Sequence, residues 1–481
     1  MNLHRDILRL AVPSILANIT VPLVGMVDIA VAGHLGASVG LGAAALIGGI
    51  SIGTMLFDML DWNFGFLRGG TGGLAAQAYG RLRGLCPLLS PAAFGRAPDG
   101  AWITHRTEAI ETACRDITVI LKRALGIAFG SGLALIALQW VVVQVAFLLV
   151  ECSPEVQTLA TQYFYIRIWA APATLSLFAF KGWFIGMQDT VRPMICDLLV
   201  NATNIVLSIG LAFGYAGLPE LGFAGVAWGT LIAQWTGFLY ASLAVWFRYG
   251  WVLKHAKQGG HAAGFREFFV LNRDLFFRSV CMITVYIGFT MISARYGDMM
   301  LAVGAILMKL LMIFSYFTDG FAYAGEALTG RFIGEGSPEG VRSTIRQTFL
   351  WCLGVTALFF LVYGVGGVPL LRLMTSDPSV VDAGREFIPW LLLMPVIGCP
   401  AFTWDGIFMG ATASKDLRNS TAWCVVGFFG VWFIGIGLLK AVQGTVPETL
   451  AIHLLMAAYF AHLLVRAAYL TLRWRKAIPY A

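Results

Sequence analysis

Apolar runs long enough to cross a bilayer occupy almost all of this 481-residue chain, and they fall into two sets that repeat each other's landmarks. In the first half, Ala76-Gln77-Ala78-Tyr79-Gly80 ends a long apolar run; Gly330-Arg331-Phe332-Ile333-Gly334 does the same in the second half, 254 positions later. Gly182-Trp183-Phe184-Ile185-Gly186 is answered by Gly406-Ile407-Phe408-Met409-Gly410, 224 positions on. Two related helix sets around a central pathway are how membranes build secondary transporters. Such a chain is expected to move a solute.

A hydrophobic content of 58%, a charged fraction of 12% and a mean hydropathy of +0.77 exclude an ordinary soluble protein. A membrane helix needs about 20 mostly apolar residues. That measure gives about twelve spans: 8–33, 40–68, 117–150, 156–187, 191–214, 222–247, 275–295, 299–329, 344–374, 380–410, 419–440 and 448–472. Without water in the bilayer core each span must close its own backbone hydrogen bonds, so helices are expected throughout. Alternating segments of about ten residues, the mark of a membrane β-barrel, do not occur. The predicted fold class is an all-α integral membrane protein of two pseudo-symmetric six-helix bundles.

The formal charge of +7 follows topology. With the N-terminus inside, inner loops receive most cations, from Arg5, Arg9, Arg81 and Arg83 through Arg248, Lys254 and Lys257 to Arg473, Arg475 and Lys476. Outer loops or their edges hold only Arg295, Arg372 and Lys440. This bias predicts both termini in the cytoplasm of a cell inner (plasma) membrane. The basic segment 248–274 reads as a topology signal, with no nucleic-acid partner expected. A retained first helix is expected in place of a cleaved signal peptide. The 8 cysteines stand singly, so neither a disulfide framework nor a zinc site is expected.

The change of repeat offset implies about thirty extra residues in the first half. The segment 84–112, with Pro87, Pro91, Gly95, Pro98 and Gly100, is the insertion, either passive or a docking element. The predicted organisation is a first bundle over 1–250, a cytoplasmic connector over 251–274 and a second bundle over 275–481.

Asp28 is the leading candidate for chemistry. It lies toward the outer end of the first span, in Val21-Pro22-Leu23-Val24-Gly25-Met26-Val27-Asp28. A carboxylate at the centre of a span costs about 2.5–3.5 kcal/mol on insertion scales, and desolvation favours its neutral form. Such a group can exchange a proton according to the side it faces; the alternative is a hydrogen-bonded structural aspartate. Pro22 removes a backbone hydrogen bond nearby and marks a candidate helix bend. In the fifth span Asp197, Asn201, Asn204 and Ser208 recur at helical spacing on one face. They form either a proton or cation site with Asp28 or a set of interhelical hydrogen bonds. Secondary charged candidates are Asp58, Asp61 and Arg68 in the second span, where Asp61 and Arg68 share a face. In the second half they are Lys309, Asp319, Glu326 and Asp405, with Lys309 expected to neutralise an acid. Arg167 and Arg385 read as lip or partner residues. No phosphate loop, nucleophile triad or paired metal ligand stands out, so no catalytic activity, metal or cofactor is expected.

Several of these segments resemble the multidrug and toxic compound extrusion (MATE) family, and in particular its DinF-like branch. They are Val27-Asp28-Ile29-Ala30-Val31-Ala32-Gly33-His34-Leu35-Gly36, Trp62-Asn63-Phe64-Gly65-Phe66-Leu67-Arg68, and Gly186-Met187-Gln188-Asp189-Thr190. Asn272-Arg273-Asp274-Leu275, Ser315-Tyr316-Phe317-Thr318-Asp319-Gly320 and Phe402-Thr403-Trp404-Asp405-Gly406 complete the set. The resemblance spans the chain outside 84–112. It implies a twelve-helix exporter of small amphipathic or cationic compounds in exchange for H⁺ or Na⁺. It also implies a protonation role for Asp28, a bend at Pro22, and a shared pocket of Asn204, Ser208 and Thr230. Ser208 departs from the branch, which often has a second acid there. A monomer in contact with membrane lipid is expected. The competing readings are a lipid-linked precursor flippase of the same larger fold group, an integral membrane enzyme, and a transporter-like protein with lost ion coupling.

Overall fold

The computed structural model describes residues 3–39, 43–85, 107–149, 152–256, 265–296, 298–374, 378–444 and 446–480. Every regular element among them is helical: α1 (Leu3–Val39), α2 (Ala43–Phe64), α3 (Phe66–Leu85), α4 (Thr107–Ala137), α5 (Gln139–Leu149), α6 (Pro154–Arg167), α7 (Ala171–Gly186) and α8 (Val191–Phe213). There follow α9 (Phe223–Lys254), α10 (Phe265–Ala294), α11 (Asp298–Glu335), α12 (Pro338–Met374), α13 (Pro378–Arg385), α14 (Ile388–Gly410), α15 (Ser414–Gln443) and α16 (Glu448–Ala477). Among the described residues 12 helical stretches are long and apolar enough to cross a membrane. This chain is a multi-pass membrane protein.

Most apolar runs map onto one helix, with exceptions at breaks the pattern does not show. The second span turns at Gly65, whose N–H reaches the Trp62 carbonyl, and so divides into α2 and α3. The third span breaks at Leu138, between α4 and α5. The tenth divides into the short α13 and α14. Most of the 84–112 insertion, and the Gly259-Gly260-His261 part of the connector, lie outside the described residues.

The chain forms two compact units, one of residues 16–264 and one of residues 1–15 with 265–481. Helix α1 contributes to both. Its start packs in the second unit, where Ala11 and Ile15 lie against Gly320 and the His4 and Trp351 rings meet at 6.2 Å. Its remainder packs in the first unit, where Val31, Ala32 and Leu35 join a core with Leu46, Ile50, Phe57, Tyr163 and Phe164.

The repeated glycines explain why the two units share landmarks. Gly182 lies on the Arg68 carbonyl in the first unit, and Gly406 on the Ala322 carbonyl in the second. Gly186 and Gly410 repeat the contact one turn on, against Gly72 and Glu326. At each position the backbone of α7 or α14 touches the neighbouring backbone with no room for a Cβ, as in small-residue helix packing in membranes. Replacing Gly406 by Ala should cost about 1–3 kcal/mol through overpacking. Gly430, with nothing near its missing Cβ, should tolerate Ala with little change. Thermal melts of the two purified variants against wild type check the contrast.

Candidate functional site

In the first unit, close approach of α8 and α9 builds the site. Helix α8 stops at Gly214, in the left-handed conformation with φ 70°, and the chain returns as α9 after Gly222. Gly225 sits on the Leu211 backbone, Gly229 on Ser208, and Gly237 on Val200. A Cβ at Gly229 would come within 2.6 Å of Ser208 N and 2.7 Å of its Oγ. That glycine lets the polar stripe of α8 press against Thr230.

The stripe joins neighbours on three different helices. Asn204 Nδ2 donates to Thr230 Oγ1 at 2.8 Å, and Thr230 donates in turn to the Val226 carbonyl at 3.1 Å. Asn201 Nδ2 donates to Thr20 Oγ1 of α1 at 2.9 Å. Ser208 Oγ is in hydrogen-bonding reach of the Asp28 carboxyl and of the Val226 carbonyl, the latter at 3.5 Å. Asp28 is 5% exposed, and its Oδ1 has no hydrogen-bond partner among the described residues. Asn204 Oδ1 is likewise buried without one. Asp28, Ser208, Asn204 and Thr230 thus form one buried group, with Asn201 tying α8 to α1 beside it. Pro22 stands on an exposed face of α1, which continues through it as a helix with one hydrogen bond fewer.

Asp197 does not join Asp28. It pairs at 2.5 Å with Lys181 of α7, a cation that the sequence reading did not single out. Of the two readings, lip or partner, Arg167 takes the second. At the end of α6 its Nη1 donates to Tyr163 Oη at 3.1 Å, and its guanidinium lies 4.4 Å from the Phe57 ring centroid. Gly53 makes room for the Tyr163 ring against α2. The electrostatic neighbours of Arg167 are Asp61, Asp58 and Asp28. Asp61 and Arg167 line a small cavity with Phe57, Leu60, Thr174 and Leu175. The break at Gly65 leaves Asp61 on α2 and Arg68 on α3, and the cations that act on Asp61 are Arg167 and Lys181. One observable signal pointed here: an arginine inside an apolar span obeys the same rule that marks Asp28.

In the second unit Lys309 is exposed on α11 and does not serve as the partner of Asp405. Asp405 is instead gripped by Arg278 of α10, at 2.5 Å, and by Arg466 of α16. Arg466 is 1% exposed. Asp319 also acts on Arg466. Glu326 is buried on α11. Among the described residues Arg385, on α13, reaches only Asp382, at 3.6 Å on the surface. Removing one member of a half-buried pair strands the other. Lys181→Met should cost about 1–3 kcal/mol, and adding Asp197→Asn should recover most of it; a double-mutant cycle of melting measurements checks the coupling.

Comparison with known proteins agrees with this architecture. The MatE family profile matches residues 113–209 and 275–431. The chain is 33% identical over 431 residues to the DNA damage-inducible protein F of Escherichia coli (strain K12), covering 87% of this chain and 83% of that protein. It is 26% identical over 431 residues to Protein DETOXIFICATION 45, chloroplastic, of Arabidopsis thaliana, covering 85% and 69%. Among solved structures, the Vibrio cholerae MATE transporter VcmN in the bent form superposes with TM-score 0.75 at 15% identity, covering 99% of this chain and 97% of that one. A structure of MATE in the bent conformation gives TM-score 0.76 at 15% identity, covering 99% and 96%. On the profile, the E. coli relative and the shared fold, this chain belongs to the MatE family of membrane transporters.

Proposed function

We propose that this chain is a proton-coupled multidrug efflux antiporter, exporting small amphipathic or cationic organic compounds through alternating access. The observation that carries the reading is Asp28: a buried carboxyl with one oxygen unbonded, touching the Ser208 hydroxyl. Ionised, it attracts a cation into an apolar setting; protonated, it loses that attraction and can donate a hydrogen bond. Loading a proton from one side therefore weakens the hold on a cationic substrate and favours its release there, and loss of the proton on the other side restores it. Asn204 and Thr230 supply neutral polar contacts beside the switch. Pro22 gives α1 a weakened rung near Asp28, where the helix can change shape.

Family membership supports transport, and no residue here is assigned to catalysis. The interior cations are engaged with acids: Lys181 with Asp197, Arg278 and Arg466 with Asp405, and Arg167 among Asp28, Asp58 and Asp61. A flippase for a lipid diphosphate needs cations available to the phosphates, so the efflux reading is preferred. The positive-inside bias supports both termini being cytoplasmic, and an inner (plasma) membrane location goes with the efflux reading. The protein works as a monomer among membrane lipids on this reading.

Reconstituted vesicles decide the coupling. An imposed pH gradient should drive dye efflux by wild type, a sodium gradient alone should not, and Asp28→Asn should abolish the pH-driven flux while leaving folding intact. Sodium-driven flux that survives Asp28→Asn would move the coupling site elsewhere.

A further inference from the structure

Two interior acids of the first unit answer to one arginine. The Arg167 guanidinium, at the end of α6, is anchored by its bond to Tyr163 and lies 4.4 Å from the Phe57 ring centroid. Asp28 of α1 and Asp61 of α2 are both within its electrostatic reach. Asp61 and Arg167 share the wall of one small cavity with Phe57, Leu60, Thr174 and Leu175. The alternation of spans puts the helix ends Val39, Pro154 and Ala43 on one side of the membrane. Counted from those ends, Asp28, Arg167 and Asp61 stand at depths of about 16, 20 and 27 Å. The arginine lies between the two acids in depth.

The other charges around these acids are already engaged or open to solvent. Lys181 of α7 also acts on Asp61, but it bonds Asp197 of α8 at 2.5 Å. Asp58 acts on Asp61 from an exposed position one turn earlier on α2. Toward Asp28 the neighbours are Arg167 and the Ser208 hydroxyl of α8. Among the described residues, Arg167 is the one cation that acts on both acids. With both acids ionised, one guanidinium faces two interior carboxylates, and a negative charge is left over in an apolar setting. With one of them protonated, the charges balance. Two acids around one fixed cation titrate as a pair and not as separate residues.

The internal repeat adds an independent observation. Ser315 stands 254 positions after Asp61, and Leu391 stands 224 positions after Arg167. These are the offsets that relate the Arg68 carbonyl to that of Ala322 and Gly182 to Gly406, where both units make the same backbone contact. The acid and the arginine are present together in the first unit and absent together in the second, so the repeated helix packing does not require them. We infer that Asp61 is a positioning residue for coupling, sharing one proton with Asp28 while Arg167 compensates whichever acid is ionised. The inference rests on the coupling role given to Asp28 above. While Asp28 holds the proton and a cationic substrate leaves, Asp61 keeps Arg167 neutralised. When the substrate returns Asp28 to its ionised form, Asp61 can take the proton.

The test follows the carbonyl stretch of protonated carboxyl groups by infrared difference spectroscopy, on the full chain in lipid vesicles titrated with pH. Wild type should show a step that Asp28→Asn moves toward acid or removes, since the remaining acid then takes Arg167. In Asp61→Asn, Asp28 has Arg167 to itself, so the step should move toward acid by about one pH unit or more. In Arg167→Gln the counter-charge is gone, and the step should move toward alkali by about as much. Asp61→Glu should return the midpoint close to that of wild type. A purely structural role for Asp61 would lower Tm in Asp61→Asn and leave the midpoint in place, which overturns the inference. Because the two shifts have opposite signs, either variant decides if the other fails to fold. A midpoint unmoved in both, while Asp28→Asn still displaces the step, overturns this inference alone. A step untouched by Asp28→Asn overturns the coupling reading and this inference with it.

Discussion

An ionised side chain placed among apolar helices must meet an opposite charge, because no water is present to solvate it. Each unit meets that demand internally. In the first, Lys181 answers Asp197 and Arg167 stands among three aspartates. In the second, Asp405 is shared by two arginines from different helices. Arg167 is held in place by Tyr163 and Phe57, so its charge is fixed where Asp61 and Asp28 need it. Asp28 differs in that its hydrogen-bond partner is a hydroxyl and not a cation. Its charge is not locked by a direct ion pair, which suits a group that changes protonation during a cycle.

These charges meet only because the helices come close. Gly229 lets Ser208 reach the α9 backbone, Gly53 admits Tyr163, and Gly182 and Gly406 bring α7 and α14 onto neighbouring carbonyls. Apolar side chains give no net drive for association inside lipid, so close packing and polar contacts must hold the helices together. The same glycines that appear in the sequence as a repeat are, in space, the places where backbones touch.

The sequence made the spans legible because apolar length alone defines them. Helical spacing grouped Asp197, Asn201, Asn204 and Ser208, all of which lie on α8, and the family resemblance added Thr230, which meets Asn204. The breaks at Gly65 and Leu138 were not legible, since neither interrupts the apolar run. Nor were the charge partners. Asp405 meets residues 127 and 61 positions away in the chain, and spacing along one helix says nothing of which helix lies opposite. For that reason Lys309 looked like a counter-ion by its depth, Arg68 by its spacing from Asp61, and Asp197 looked like a companion of Asp28. Lys181 escaped notice although it directly precedes the repeated glycine at 182.

Ser208 has an electrical consequence. Among Asp28, Ser208, Asn204 and Thr230, the buried group on α1, α8 and α9, Asp28 is the one carboxyl to load. On the proposed mechanism, exchange of one proton for one singly charged organic cation moves no net charge across the membrane. The membrane potential then does no work on the cycle, and the pH difference alone sets the limit, about a tenfold concentration ratio per pH unit. A doubly charged drug would break that balance, so its export would be opposed by an inside-negative potential.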